Sequence, residues 1–181
     1  MFARADASVS AVTAPFAFPY WGVMVPSGSA LTVSTTGYLR IGSEVSATLS
    51  GVLPSLAQPN GVLAPHWGDL SLRSRQVCLA VLGNAPSRRL VVAWPDATYF
   101  DAAPEVHLNF EVTVTEETGV IDFVYGVMTR ARYQTTGIET VDGRRALRPS
   151  AGLLGTCIEA TGNNCRPASN STIRFVPASG S

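Results

Sequence analysis

The chain has 181 residues, 46% hydrophobic and 14% charged, and its 13 cationic and 13 acidic residues leave a formal net charge of zero. That length and apolar content suit one domain with a real core, and the charge balance excludes an electrostatic case for nucleic acid or an anionic membrane. No apolar run reaches the roughly 20 residues of a spanning helix, and the cations, all arginine, are scattered rather than clustered for phosphate.

In chain order, residues 1–13 read as a flexible lead-in or an edge strand, 14–177 as a single domain and 178–181 as a disordered tail. Phe16, Phe18 and Tyr20 alternate along an extended segment, as rings offered to a core would. Leu31 to Gly42 reads as two strands joined at Thr36-Gly37. Ser43 to Asn60 reads as an irregular connection with one short helical turn. Pro59 to Leu70 brackets a short buried segment with prolines and turn residues.

Gln76 to Leu82 and Arg88 to Trp94 form two apolar runs around Gly83-Asn84-Ala85-Pro86-Ser87, a hairpin with a five-residue loop. Leu90 to Trp94 is apolar without alternation, which predicts a central strand covered on both faces. Cys78, inside the first of these runs, is expected to be a buried free thiol. From Val106 to Thr115 the alternation is strict, with Val106, Leu108, Phe110, Val112 and Val114 on one face. Glu117-Thr118-Gly119 turns the chain into Val120 to Tyr125. Thr135 to Thr140 and Ile173 to Val176 add further strands, with Asp142-Gly143 as a turn. The pattern predicts an all-β fold, an antiparallel β-sandwich of jelly-roll or Greek-key type with about nine strands and little helix.

Cys157 and Cys165 flank a polar loop with Gly162, Asn163 and Asn164, which can turn back so that the sulfurs meet. Such a bridge is worth about 2.5 kcal/mol by loop entropy. A metal reading fails for want of further Cys or His nearby. A disulfide implies an oxidising compartment.

Only two histidines, His66 and His107, are available to acid–base chemistry, and no Gly-x-Ser-x-Gly elbow is present, so no catalytic residue is assigned. His107 falls on the polar face of its strand, facing solvent. The candidate binding residues are Trp67, Asp69, Asp96, Tyr99 and Asp101. In His66-Trp67-Gly68-Asp69, Trp67 could serve as an aromatic platform and Asp69 could bind sugar hydroxyls or a cation. Against this stands a reading with Trp67 in the core and Asp69 bonded to turn backbone. Trp94 to Asp101 leaves a buried strand for a loop where Tyr99, Asp96 and Asp101 could meet a ligand, or where Tyr99 and Phe100 cap the core. No cofactor is expected, and structural calcium would need oxygens from Asp96, Asp101 or Asp142 to converge. Glu116-Glu117 reads as a solvated hairpin tip.

Six motifs occur in order: the aromatic-Pro19-Tyr20 segment, Val33 to Gly42, Pro59 to Leu70, Leu82 to Trp94, Phe110 to Tyr125, and Thr136 to Gly143. Together they resemble a β-sandwich module of secreted bacterial proteins, found in multidomain surface proteins and beside secreted peptidases, and distantly similar to the extracellular nidogen-type domain. The resemblance spans roughly residues 14–177. It implies a noncatalytic, secreted or cell-surface role in adhesion, interaction or structure, with carbohydrate binding as the alternative and a hydrolase as the least favoured. Expected partners are a surface protein or glycan, or further copies of the chain, without nucleic acid or membrane insertion. An export signal is expected outside this stretch, since Met1 to Asp6 carries charge where its apolar segment belongs. Gly68 and His66 depart from the module's usual acidic or amide residue and aromatic.

Overall fold

A computed structural model describes residues 7–43, 47–73, 76–149 and 164–178. These residues form fifteen strands: β1 (Val9–Thr13), β2 (Phe18–Tyr20), β3 (Val23–Val25), β4 (Ala30–Ser34), β5 (Tyr38–Ile41), β6 (Val62–Trp67), β7 (Leu70–Leu72), β8 (Cys78–Leu82), β9 (Arg89–Tyr99), β10 (Leu108–Thr115), β11 (Ile121–Met128), β12 (Gln134–Glu139), β13 (Ala146–Leu147), β14 (Asn164–Cys165) and β15 (Ser171–Phe175). The count exceeds nine because several strands span only two or three residues, too few for a periodicity to show. Among the described residues there is no helix, and residues 47–60 do not form the helical turn expected in that connection.

One sheet runs β1-β4-β5-β6-β12-β13, with β14 also on β12. The other runs β15-β11-β10-β9-β7, with β8 also on β9, and β2 and β3 form a separate hairpin. Every pairing is antiparallel. The two large sheets pack face to face as an all-β, sandwich-like fold. Phe16, Phe18, Tyr20, Val106, Leu108, Phe110, Val112 and Val114 are all buried in the shared core, as their alternation predicts.

Polar tips of large aromatics fix how the layers sit. Trp94 Nε1 on β9 donates to the Ser34 carbonyl on β4 (2.8 Å), and Tyr125 Oη on β11 donates to the Pro65 carbonyl on β6 (2.7 Å). Tyr20 Oη donates to the Glu139 carbonyl (2.6 Å), which ties the small hairpin to β12. Each bond contributes about 1 kcal/mol and each ring buries a large apolar area besides. Because both ends are specified, the bonds also fix register between layers.

Each sheet carries a proline within a long strand, and each solves the problem with a bulge. Pro65 lies in β6 where the pairing with β12 slips between Trp67↔Thr135 and Ala64↔Gly137. Pro95 lies in β9 where the pairing with β10 slips between Trp94↔Phe110 and Ala97↔Leu108. A proline donates no ladder hydrogen bond, so the extra residue absorbs its missing N–H. Asp96, at φ 50°, is the residue that turns the β9 backbone through its bulge.

Three expectations are corrected. Leu90, Val92 and Trp94 point into the core, but Val91 and Ala93 between them are half-buried, so β9 is covered on one face only. The long strand buried throughout is β6, as the three-residue β7 also is. The outer face of β6 carries Val62, Ala64 and Trp67, which pack with Tyr38 and Leu53 into a second small core. Segment 47–59 lies over this cluster: Thr48 accepts from Trp67 Nε1 (2.9 Å), and the Gly51 backbone rests on the Trp67 ring. Cys78 is exposed rather than buried, because β8 sits at the sheet edge beyond the reach of the opposite layer. Glu116 is not a solvated tip either. It receives Arg88 Nε (2.8 Å) and Nη2 (2.5 Å), which holds its carboxyl below the usual carboxylate range. Cys157 lies outside the described residues, and the expected Cys157–Cys165 bridge with it.

Turn glycines are placed by sterics. Gly37 (φ 92°) closes the β4–β5 turn, its N–H donating to Ser34, with the His66 carbonyl where a Cβ would stand. Trp21 and Gly22 both have positive φ in the two-residue β2–β3 turn, the conformation whose twist matches a hairpin.

Candidate functional site

At the end of the sandwich where β7 begins and β9 finishes, three of the five residues named from the sequence gather. β7 pairs with the last residues of β9 through Leu70↔Tyr99, Ser71↔Thr98 and Leu72↔Ala97, and the Phe100 N–H donates to the Asp69 carbonyl (3.1 Å). Asp69, Tyr99 and Asp101 thus share one end, while Asp96 lies at the opposite end of β7, its carbonyl accepting from the Arg73 N–H (3.2 Å). The bulge at Asp96 is why β9 runs on to Tyr99 instead of yielding to a loop after Trp94, as the sequence suggested.

Tyr99 is 2% exposed and works as a hub. Its hydroxyl accepts from the Arg132 N–H (2.5 Å) and so gives its own proton to His66 Nε2 (2.9 Å). Burial pushes Tyr99 up to about 12. His66 is 0% exposed, with its ring 5.6 Å from Phe110, and burial pulls its pKa down from 6.5 to about 3. A neutral ring that accepts on Nε2 must carry its proton on Nδ1, and Nδ1 has no partner among the described residues. The Arg132 guanidinium lies 4.6 Å from the centre of the Tyr99 ring, and its Nη1 binds Asp101 (2.7 Å). Nearby, Arg130 binds Glu105 (2.6 Å).

A second group lies beside the bulge. His107 Nδ1 is 2.6 Å from Asp96 Oδ1, and Arg73 Nη1 is 3.4 Å from His107 Nε2. Arg73 can only donate, so the neutral imidazole accepts on Nε2 and donates to Asp96 from Nδ1. The Asp96 N–H donates to Asn109 Oδ1 (3.0 Å), which locks the carboxylate's backbone. His107 and Asp96 are about half exposed, 45% and 42% by side chain. The dyad resembles the base half of a hydrolytic triad, but a guanidinium occupies the nitrogen that a nucleophile would need. The arrangement offers a ligand a surface of alternating donors and acceptors.

Trp67 stands apart from this end. Its ring is 2% exposed and 4.9 Å from Tyr38 in the outer cluster beneath segment 47–59, so it packs and offers no platform to solvent. Tyr99 is likewise spent on packing. Asp96, Asp101 and Asp142 go to three separate partners, His107, Arg132 and Thr140, so their oxygens do not converge. Among the described residues no three His, Cys, Asp or Glu side chains are grouped to hold a metal. The residues that sequence reading missed are Arg73 and Arg132. Both lie in segments without periodicity or motif, and only pairing across β7, β9 and β10 brings them to the site.

Fold and site define an antiparallel sandwich domain with an aromatic core and a polar, arginine-studded end. A family model described as NIDO related, for nidogen-related domains, matches residues 2–177, and the chain belongs to that family. No curated protein and no solved structure matches the chain significantly. Among the described residues, no helix is long and apolar enough to cross a membrane.

Proposed function

We propose that the chain is a noncatalytic interaction or structural module of a secreted or surface-displayed protein. Membership of the nidogen-related family points to an extracellular context. The observation that carries the reading is the distribution of apolar surface. The rings nominated for ligand stacking, Trp67 and Tyr99, are packed away and Phe100 alone is exposed beside Tyr99, whereas Leu79, Val81 and Leu82 on β8 and Val23 and Met24 on β3 stand exposed on strand edges. Exposed apolar side chains grouped on edges mark surfaces that meet other polypeptides.

The test pairs a binding screen with a counter-assay. The chain is screened against extracellular proteins and a glycan panel, and separately against peptide, ester and glycoside substrates. Protein binding without turnover is expected. Turnover abolished by Asp96→Ala or His107→Ala would overturn the noncatalytic reading, since His107 is the one histidine of the chain that solvent reaches. Glycan binding lost on Phe100→Ala or Arg132→Ala would replace the interaction reading with a carbohydrate-binding one.

A further inference from the structure

Most strands that end the two large sheets are blunted. β1 exposes Ser10 and Thr13, β13 is two residues long, and β15 carries Arg174 bonded to Asp122 (2.7 Å). β8 is different. Cys78-Leu79-Ala80-Val81-Leu82 has no charge, no proline and no bulge against β9, and no charged residue occurs from Gln76 to Ser87. All five residues are exposed, Leu79 and Leu82 to 46% and Val81 to 42%. One side of β8 bonds to β9, and among the described residues no strand occupies the other. Natural edges normally carry a charge, a proline or a bulge to stop a further strand from adding.

We infer that β8 is a self-association edge: two copies of the chain pair their β8 strands antiparallel about a two-fold axis at Ala80, joining their six-stranded sheets side by side. The free edge presents alternating N–H and C=O groups, so its occupant is an extended backbone. The flanking side chains are aliphatic and neutral, so that backbone must bring no charge into register. β8 itself meets both conditions and has an edge to offer. About Ala80, Cys78 faces the second copy's Leu82, Leu79 faces its Val81, and Ala80 faces Ala80. Every pair is apolar and no like charges meet. Leu79 and Val81 are opposite Val92 and Leu90 on β9, so they share the core-facing side of the sheet while overhanging the other layer. A second copy brings the same residues alongside and covers the overhang. A five-residue edge falls well short of the roughly 1,200 Å² of a stable interface, so the pair is weak and concentration-dependent. This deepens the interaction-module reading, and rests on it, by naming the surface and the partner.

The test uses register. Two Ala80 residues facing across an antiparallel pair have Cα atoms about 4.5–5.5 Å apart, within disulfide reach. Two Cys78 residues in the same pair are offset by four positions, about 14 Å, and cannot join. The full chain carrying Ala80→Cys with Cys78→Ser, oxidised mildly, is compared with the unaltered chain, and the linked peptide is identified by mass spectrometry. The expected result is a dimer bridged through the two introduced thiols, formed about tenfold or more faster than any Cys78–Cys78 dimer of the unaltered chain. Adding Leu79→Lys should abolish it while the circular dichroism spectrum and melting temperature stay unchanged. Sedimentation of the unaltered chain should show a mass that rises with concentration. Equal linking at both positions, or a monomer up to about 1 mM, would overturn the pairing. A monomer that still binds another extracellular protein would remove β8 pairing and leave the module reading standing. Turnover dependent on His107 would remove the module reading, an outcome told apart from failed β8 pairing by the linkage at Ala80→Cys.

Discussion

His66 makes the stability of this protein depend on pH in a direction and amount that follow from its burial. Its folded pKa lies near 3, against 6.5 when unfolded, because the ring is enclosed between Tyr99 and Phe110. Below pH 6.5 the unfolded chain takes up a proton that the folded chain refuses until about pH 3. The contribution is therefore complete above pH 6.5 and is lost progressively as pH falls. For one such group the loss between pH 7 and pH 5 is about 2 kcal/mol. His66→Gln keeps an acceptor for the Tyr99 hydroxyl and does not titrate, and every other group is common to both proteins. Urea unfolding of both at pH 7, 6 and 5 should show the unaltered chain losing about 2 kcal/mol more than the variant, a relative midpoint shift of about 1 M. Parallel pH profiles would refute the reasoning and mean that His66 is hydrated or charged in the folded chain.

Tyr99→Phe strands His66 Nε2 in the core, whereas the Arg132 N–H can find water. The expected cost is about 2 kcal/mol, read as a drop of about 4–8 °C in melting temperature, and a drop under about 1 °C would contradict the hub. Gly37→Ala and Gly28→Ala both force alanine into positive φ, yet only at Gly37 does a backbone oxygen stand in the way. Calorimetry should show the Gly28 variant losing about 1 kcal/mol and the Gly37 variant clearly more; equal losses would remove the contact with His66 as a cause. A thiol reagent should label Cys78 in the folded chain at one equivalent. Two further equivalents appearing only after reduction would support the proposed Cys157–Cys165 bridge, and three at once would refute it.

Alternation and turn chemistry carried the all-β fold, because residues such as Val106 to Val114 show their facing in the sequence itself. What alternation could not show was layer coverage. Leu90 to Trp94 and Val62 to Trp67 are comparably apolar, and only segment 47–59, folded over Trp67, makes the second strand the doubly covered one. The same limit hid the exposure of Cys78, since an apolar strand reads alike at a sheet's centre and beyond its partner's reach. At the site, the acidic and aromatic residues stood out by type, but their partners did not. Arg132 meets Tyr99, and Arg73 meets His107, only after a bulge at Asp96 has re-aimed the end of β9.

The small core beneath segment 47–59 divides the three tryptophans among three environments. Trp94 is sealed between the sheets, Trp67 is sealed under the strap, and Trp21 is half-buried at a hairpin tip beneath Arg145. Each indole therefore watches a different part of the molecule. Loosening of the strap would change the emission of Trp67 while Trp94 stayed dark to solvent, so single-tryptophan variants could tell peeling of the outer cover from separation of the two sheets.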